Sequence, residues 1–380
     1  MKILMVAIPN HHFFQWVNQL ENSGHDVFWF DVTDGGPKSN KIKWVTQIKG
    51  WKLKWDFPLR TKVKKGFPKL YSWIQKFNEN NVSKAFQQTL ISVKPDVVHC
   101  FEMQLSGLPI LSSMNKNRLP FVYSSWGSDV FYFEQLGISK SELKQFYNRV
   151  NYLITDCKRD YQITISNGYK NEFLGVFPGN GGITIDKSKI KPFSKRNTIL
   201  VKGYDDGVGK ALKVIEALTR VPNKLLKDKT IIIYSADNTV KEQIVKHKAF
   251  KDLNVVVYSR YHFIKNVELL EIMGESCIHI ANSLSDGMPN ALLEAMSMGV
   301  FPIQSNPGKV TEEVITHGEN GYLINNPLDA KEIASHIKNA ILNDTLRKSS
   351  QDFNVHFIKE KYNRVILKSK IEVLYKNILV

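Results

Sequence analysis

Two carboxylates bracket a helix start in Ser285-Asp-Gly-Met-Pro-Asn-Ala-Leu-Leu-Glu-Ala-Met-Ser-Met-Gly299. Pro289 suits the first turn of a helix, where its missing N–H costs little. Gly287 lets the backbone approach a ligand closely. A helix beginning here presents free N–H groups and a positive dipole end, the chemistry of a phosphate site. Asp286 precedes that site on a loop, and Glu294 follows it inside an apolar run. The residues three and four positions from Glu294 are Asn290, Ala291, Ser297 and Met298, a mostly small stripe. An ionised carboxylate there needs a partner, and ligand hydroxyls would serve. The spacing by itself also fits an amphipathic helix with a solvated glutamate.

Other chemistry-bearing residues fall in loops after apolar runs. Ser124-Ser-Trp-Gly-Ser-Asp129 offers the Trp126 ring for stacking on a sugar or base, with core packing as the alternative, and the Asp129 carboxylate for hydroxyls. Asn10, His11 and His12 follow the first such run, and His99 and Glu102 follow another. A lone histidine in such a place serves structure as readily as catalysis. Asp205 and Asp206 adjoin in Val201-Lys-Gly-Tyr-Asp-Asp-Gly-Val-Gly-Lys-Ala211, without a second ligand cluster, so no metal is expected. No Ser–His–Asp arrangement or cysteine nucleophile has local support.

Loops of this kind must be held by strands. Near-continuous apolar runs at 2–8, 26–31, 96–100, 121–125, 152–155 and 172–177 predict buried parallel strands separated by helices. A second series follows at 198–202, 230–234, 255–258, 277–281 and 300–304. Between them, Pro178-Gly-Asn-Gly-Gly182 is a strong breaker, followed by a Lys/Pro/Ser-rich connection. The expected division is 1–185 and 186–355, with a terminal helix over about 356–380 packing back on the first domain. Ligands of open α/β sheets bind outside the carboxyl ends of the strands, where these loops lie.

Composition excludes several classes. With 43% hydrophobic and 23% charged residues, the 380-residue chain is globular rather than disordered. The longest clean apolar run near the start, Ile3–Ile8, is too short for a bilayer span or a signal-peptide core. Three scattered cysteines give neither a metal pattern nor a disulfide framework, so a cytoplasmic location is expected. The net charge is +16, and it is concentrated: Lys38 to Lys76 holds 12 basic residues and one acid, Asp56. The same stretch carries Trp44, Trp51, Trp55 and Trp73.

The two carboxylates with seven residues between them, followed by Ala295-Met-Ser-Met-Gly299, resemble the signature of retaining GT-B glycosyltransferases of family 4 (glycosyl transferases group 1). Ser305-Asn-Pro-Gly308, Glu312-Glu-Val314 and His317-Gly-Glu-Asn-Gly-Tyr-Leu-Ile324 resemble that family's C-terminal domain, and Asn180-Gly181 its segment before the linker. The likeness covers the C-terminal half well and the N-terminal half in outline. It implies an α/β fold of GT-B type, two Rossmann-like doubly wound domains facing across a cleft. It also implies a nucleotide-sugar donor, a glycan or lipid-linked acceptor, and no cofactor or metal.

Carried over residue by residue, the resemblance gives Glu294 the nucleotide ribose and Asp286 the transferred sugar, where the family usually has Glu. The backbone around Gly287, Met288, Pro289, Asn290 and Ala291 would face the diphosphate. The family's phosphate-binding Arg falls at Tyr204, after Gly203, and its Lys near Lys210. Lys202 and Lys210 are therefore the expected phosphate cations. Trp126 stands where the family commonly has a His. Trp126, Asp129, His12 and Asn10 form the expected acceptor side.

The implied reaction is retaining hexosyl or N-acetylhexosaminyl transfer in bacterial-type surface polysaccharide or lipopolysaccharide synthesis. The departures at Tyr204 and Trp126 keep open a non-catalytic nucleotide-sugar-binding subunit, and the architecture keeps open a sugar-nucleotide isomerase or phosphorylase. The Trp- and Lys-rich stretch Lys41–Lys76 predicts peripheral binding to the inner face of the cell membrane, since interfacial Trp and Lys both favour an anionic leaflet. The alternative is a solvated loop whose aromatics pack on the domain. No nucleic-acid motif accompanies the charge, so nucleic acid is not an expected partner.

Overall fold

Seven short apolar segments pair side by side in the N-terminal part of the chain. They are β1 (Lys2–Ala7), β2 (Asp26–Asp31), β3 (Thr46–Ile48), β4 (Val97–Phe101), β5 (Phe121–Ser124), β6 (Tyr152–Thr155) and β7 (Glu172–Val176). All neighbours are parallel, in the order β3-β2-β1-β4-β5-β6-β7. β1 and β4 are almost wholly buried, as strands covered on both faces must be. The computed structural model describes residues 1–262 and 264–378.

The second sheet consists of β8 (Thr198–Lys202), β9 (Thr230–Ala236), β10 (Asn254–Ser259), β11 (Ser276–Ala281), β12 (Phe301–Ser305) and β13 (Tyr322–Ile324). These are also parallel, in the order β10-β9-β8-β11-β12-β13. Both are doubly wound Rossmann-like sheets, as expected. Strand order reverses between β1 and β4 in one and between β8 and β11 in the other, the place where such sheets open a crevice.

Two compact units result. One comprises Met1–Asp156, Asp160–Gly181 and the segment from Lys368; the other comprises Cys157–Arg159 and Gly182–Leu367. The first boundary falls four residues earlier than the expected 185. The cause is local: the Ile183 amide donates to the Tyr362 carbonyl at 2.7 Å, and Ile183 accepts from the Arg364 amide at 3.0 Å.

The return to the first unit begins at Lys368, not near 356. The C-terminal region is two helices, Asp344–Lys361 and Arg364–Asn377. Ile358 on the former shares a buried cluster with Leu292, Leu293 and Met296 of the second unit. On the latter, the fully buried Tyr375 hydroxyl accepts from Trp16 Nε1 at 3.2 Å and lies 2.5 Å from His99 Nδ1, all within the first unit.

Candidate active site

In the second unit, the chain turns sharply after β8. Gly203 donates to the Tyr234 carbonyl at 2.8 Å, and a Cβ there would lie 2.6 Å from Ala236 Cα. Only glycine fits so close to the neighbouring strand. The loop that follows holds itself together. Asp205 Oδ1 accepts from the Leu212 amide at 3.1 Å, and Asp206 Oδ1 from the Gly209 amide at 3.0 Å. Arg260 Nη1 bridges Asp206 Oδ2 at 3.2 Å and Asp237 Oδ2 at 2.9 Å. Asn282, just after β11, accepts from the Lys210 amide and returns a bond from Nδ2 to the Lys210 carbonyl, at 2.9 and 3.2 Å. These ties close a cavity of about 180 Å³, lined by Lys202, Tyr204, Asp206, Asn282, Asp286 and Gln304 among others. It sits at the strand-order reversal of its sheet.

The helix after β11 is Asn290–Ser297. Pro289 is its N-cap, in an extended conformation (φ −69°, ψ 114°), so it precedes the helix rather than opening its first turn. Proline offers no side chain to accept from the first-turn amides, which keeps the positive end of the helix available. Met288 is buried in a cluster with Leu292 and Val310, so it can serve a ligand only through its backbone. Gly287 is buried, and Asn290 and Ala291 are half-buried at the helix start.

Asp286 and Glu294 are both half-buried. Burial pushes the Asp286 carboxyl above its ordinary range, while the charges of Lys202 and Arg159 and the Gly287 amide pull it back. Burial likewise raises Glu294, opposed by a hydrogen bond from Asn266 Nδ2 to Oε1 at 3.1 Å and by the charges of Arg364 and Lys202. The positive charge of Lys202 thus acts on both carboxylates. Its ammonium lies 4.9 Å from the Tyr204 ring centre, and the Arg260 guanidinium 4.4 Å from the same ring. Lys210 is tied through its backbone and is not among the residues lining the cavity.

Sequence reasoning missed Asn266 and Arg159. Arg159, counted with the second unit, donates from Nη2 to the Asp286 carbonyl at 2.8 Å and from Nη1 to the Pro307 carbonyl at 2.7 Å. Neither lies in a local pattern that could have flagged it. The chemistry available is a cation and the positive end of a helix for a phosphate, with two carboxylates for hydroxyls.

In the first unit, the expected acceptor residues separate into two kinds. Asp129 is 1% exposed and accepts from Tyr123 OH at 2.6 Å, the Met103 amide at 2.8 Å and the Trp126 amide at 2.9 Å. This corrects the expected role in holding acceptor hydroxyls: Asp129 is an internal anchor for the loops after β4 and β5. Asn10 caps the helix His11–Val17 through Oδ1 and the Phe13 amide, at 2.9 Å. His12 and Trp126 meet edge to face at 6.2 Å, and the buried Trp126 Nε1 has no hydrogen-bond partner. Glu102 follows β4 with φ +70°, a strained setting for a side-chain-bearing residue. His99 is fully buried between Tyr375 and Ser124, and burial lowers its pKa to about 3, so it is a neutral structural group.

The basic segment also divides. Trp44 Nε1 donates to Asn18 Oδ1 at 2.9 Å. Trp51 stacks on Phe30 at 5.1 Å, and Lys49 is buried against Asp31 at 2.5 Å. These residues belong to the domain's packing. Trp55, Leu59, Phe67, Leu70, Trp73 and Phe77 are exposed. On the helix Pro68–Asn78, Leu70, Trp73 and Phe77 recur at three and four positions, one outward stripe. Among the described residues, no helix is long and apolar enough to cross a membrane.

Residues 183–361 match the family model described as "Glycosyl transferases group 1", and residues 2–157 match "Glycosyl transferase 4-like". An uncharacterized glycosyltransferase of Methanocaldococcus jannaschii is 30% identical over 244 residues, which is 59% of this chain and 60% of that protein's length. Anabaena HepE, solved with UDP and glucose, superposes with a TM-score of 0.71 at 14% identity, covering 99% of this chain and 100% of its own. The lipopolysaccharide outer core galactosyltransferase WaaB gives 0.66 at 16% identity, covering 99% of each. At these identities the structural likeness is one of fold, and the fold is GT-B.

Proposed function

We propose that this protein is a glycosyltransferase that moves a sugar from a nucleotide-sugar to a glycan or lipid-linked acceptor with retention of configuration. The observation that carries the reading is the pair Asp286 and Glu294, two carboxylates raised by burial and both answered by Lys202, on either side of an uncapped helix start. The two family matches, one to each half, support it.

In this reading Glu294 holds the ribose hydroxyls and Asp286 orients the sugar. The bond between the anomeric carbon and the diphosphate oxygen breaks, and a bond to the acceptor oxygen forms. The acceptor's proton passes to the leaving phosphate. Lys202 and the backbone amides around Gly287–Ala291 stabilise the charge that develops there, an oxyanion-type effect. Lys210 does not line the cavity, and in this reading its charge supports the phosphate from outside it. In this reading the enzyme works against an anionic membrane face in surface-polysaccharide or lipopolysaccharide synthesis, and the exposed apolar stripe with its lysines supports that part of it. A hexosyl or N-acetylhexosaminyl donor fits the cavity's polar lining.

A thermal-shift screen of UDP-, GDP-, CMP- and dTDP-sugars tests the donor, because a ligand of the native state raises stability by mass action. Stabilisation by a nucleotide-sugar is expected. The absence of any shift across the series, at millimolar ligand, would remove the donor site and the reading with it.

A further inference from the structure

The cavity beside Asp286 has two wall residues that the donor reading leaves without a task. Gln304, on β12, is 1% exposed, and Asn282 is 5% exposed. Asn282 Nδ2 donates to the Lys210 and Pro327 carbonyls at 3.2 and 2.8 Å, which directs its Oδ1 elsewhere. That oxygen has no hydrogen-bond partner, and neither has Gln304 Oε1. Both residues line the cavity. Buried acceptors are nearly always satisfied, so two orphans on one small cavity mark a place for a group that donates hydrogen bonds.

The charge around them narrows the class of that group. Lys202 is the sole cation among the lining residues, against the carboxylates of Asp206 and Asp286 and the two orphan carbonyl oxygens. Asp206 is already paired with Arg260, so a phosphate or carboxylate placed there would face the Asp286 carboxylate and the two orphan oxygens. Hydroxyls and amide N–H groups would find partners, which leaves Lys202 to the diphosphate. Resting on the donor-site reading above, we propose that Gln304 and Asn282 read a hydroxyl or acetamido substituent of the transferred sugar. Gln304 is then a specificity-determining residue. The donor class is a neutral hexose or N-acetylhexosamine, and uronic acids are rejected. A site built to pair a hydroxyl or N–H discriminates strongly against analogues without one, since its own buried groups would otherwise stay unpaired.

Calorimetry tests this. Wild type, Gln304→Leu and Gln304→Met are titrated with whichever of UDP, GDP, CDP and dTDP binds wild type, then with its glucose, N-acetylglucosamine and glucuronic acid conjugates. The expected result has three parts. The nucleotide alone binds all three proteins alike. The extra affinity contributed by glucose or N-acetylglucosamine falls at least tenfold in the variants. Glucuronic acid adds nothing over the nucleotide in wild type. Unliganded melting temperatures should hold or rise in the variants, because an unsatisfied buried amide has been removed; a purely structural Gln304 would give a fall. An unchanged sugar contribution in a folded variant overturns the proposal while leaving the donor site standing. Equal weakening of the bare nucleotide also overturns it, since the cavity would then hold phosphate. Failure of every nucleotide to bind wild type overturns the donor site and this pocket together.

Discussion

Asn266 donates from Nδ2 to Glu294 Oε1 at 3.1 Å, across 28 positions of sequence. This bond opposes the burial that raises the Glu294 carboxyl. Glu294→Ala should lower kcat/KM by roughly 100-fold, about 2.7 kcal/mol of transition-state stabilisation, and weaken nucleotide binding. Near-normal turnover with the true donor would refute the site. Asn266→Ala should act through the pH profile. Losing the donor raises Glu294 further, so the acid limb of kcat/KM moves to higher pH. A limb that stays in place would mean the bond does not set the ionisation.

Glu102 gives a prediction about stability. Burial, then the nearby Asp129, raises its carboxyl to about 8 from 4.5, although it accepts from the Gln104 and Leu105 amides at 2.7 and 2.6 Å. Between those two values the folded state holds more proton than the unfolded state. Stability contributed here is therefore lost as pH rises through that window. Glu102→Gln removes the titration. Its melting temperature should match wild type near pH 5 and exceed it by a few degrees at pH 8.5, about 2–4 °C for each kcal/mol in a domain of this size. A gap that does not change with pH would show that Glu102 stays ionised.

Vesicle binding distinguishes the two parts of the basic segment. Residues 57–78 carry six cations and no acid beside the exposed Phe67, Leu70, Trp73 and Phe77. Cosedimentation with phosphatidylglycerol vesicles should be strong at low salt and fall with added salt, since each lysine near the surface contributes about 1 kcal/mol. Trp73→Ser with Phe77→Ser should weaken it about tenfold or more, given roughly 1.5–3 kcal/mol for each buried apolar side chain. Trp44→Ser should instead lower the melting temperature, because Trp44 is tied to Asn18. No binding at low salt would end the membrane reading.

Gly203→Ala tests the turn beneath the cavity. The added methyl would meet Ala236 Cα at 2.6 Å, and backbone cannot rotate away as a side chain can. Overpacking of this kind costs about 1–3 kcal/mol. The variant should melt lower in denaturant and lose nucleotide affinity, because Lys202 and Tyr204 move with the turn. Unchanged denaturation would mean the strand accommodates the methyl.

The parts legible in the sequence were those written in consecutive residues. Eleven of the thirteen strands announced themselves as apolar runs, and Asp286 and Glu294 by their spacing around a helix start. Thr46–Ile48 and Tyr322–Ile324 were missed because three residues at a sheet edge carry too little pattern. Asn266, Arg159 and Gln304 were invisible for a different reason: their tasks come from elements brought together only by the fold. Asp129 was misread because a loop position after a strand suggests exposure, whereas three donors draw this carboxylate inside. The tryptophans could be counted from sequence, but which two of the four faced outward could not.

The helix Arg364–Asn377 has a consequence for how the protein comes off the ribosome. Tyr375 completes the hydrogen bonding of Trp16 and His99, residues made more than 270 positions earlier. The N-terminal sheet, though translated first, therefore has to wait for Tyr375 before its interior is sealed. A nascent chain halted after Leu367 would leave that interior open, a ready substrate for chaperones and proteases.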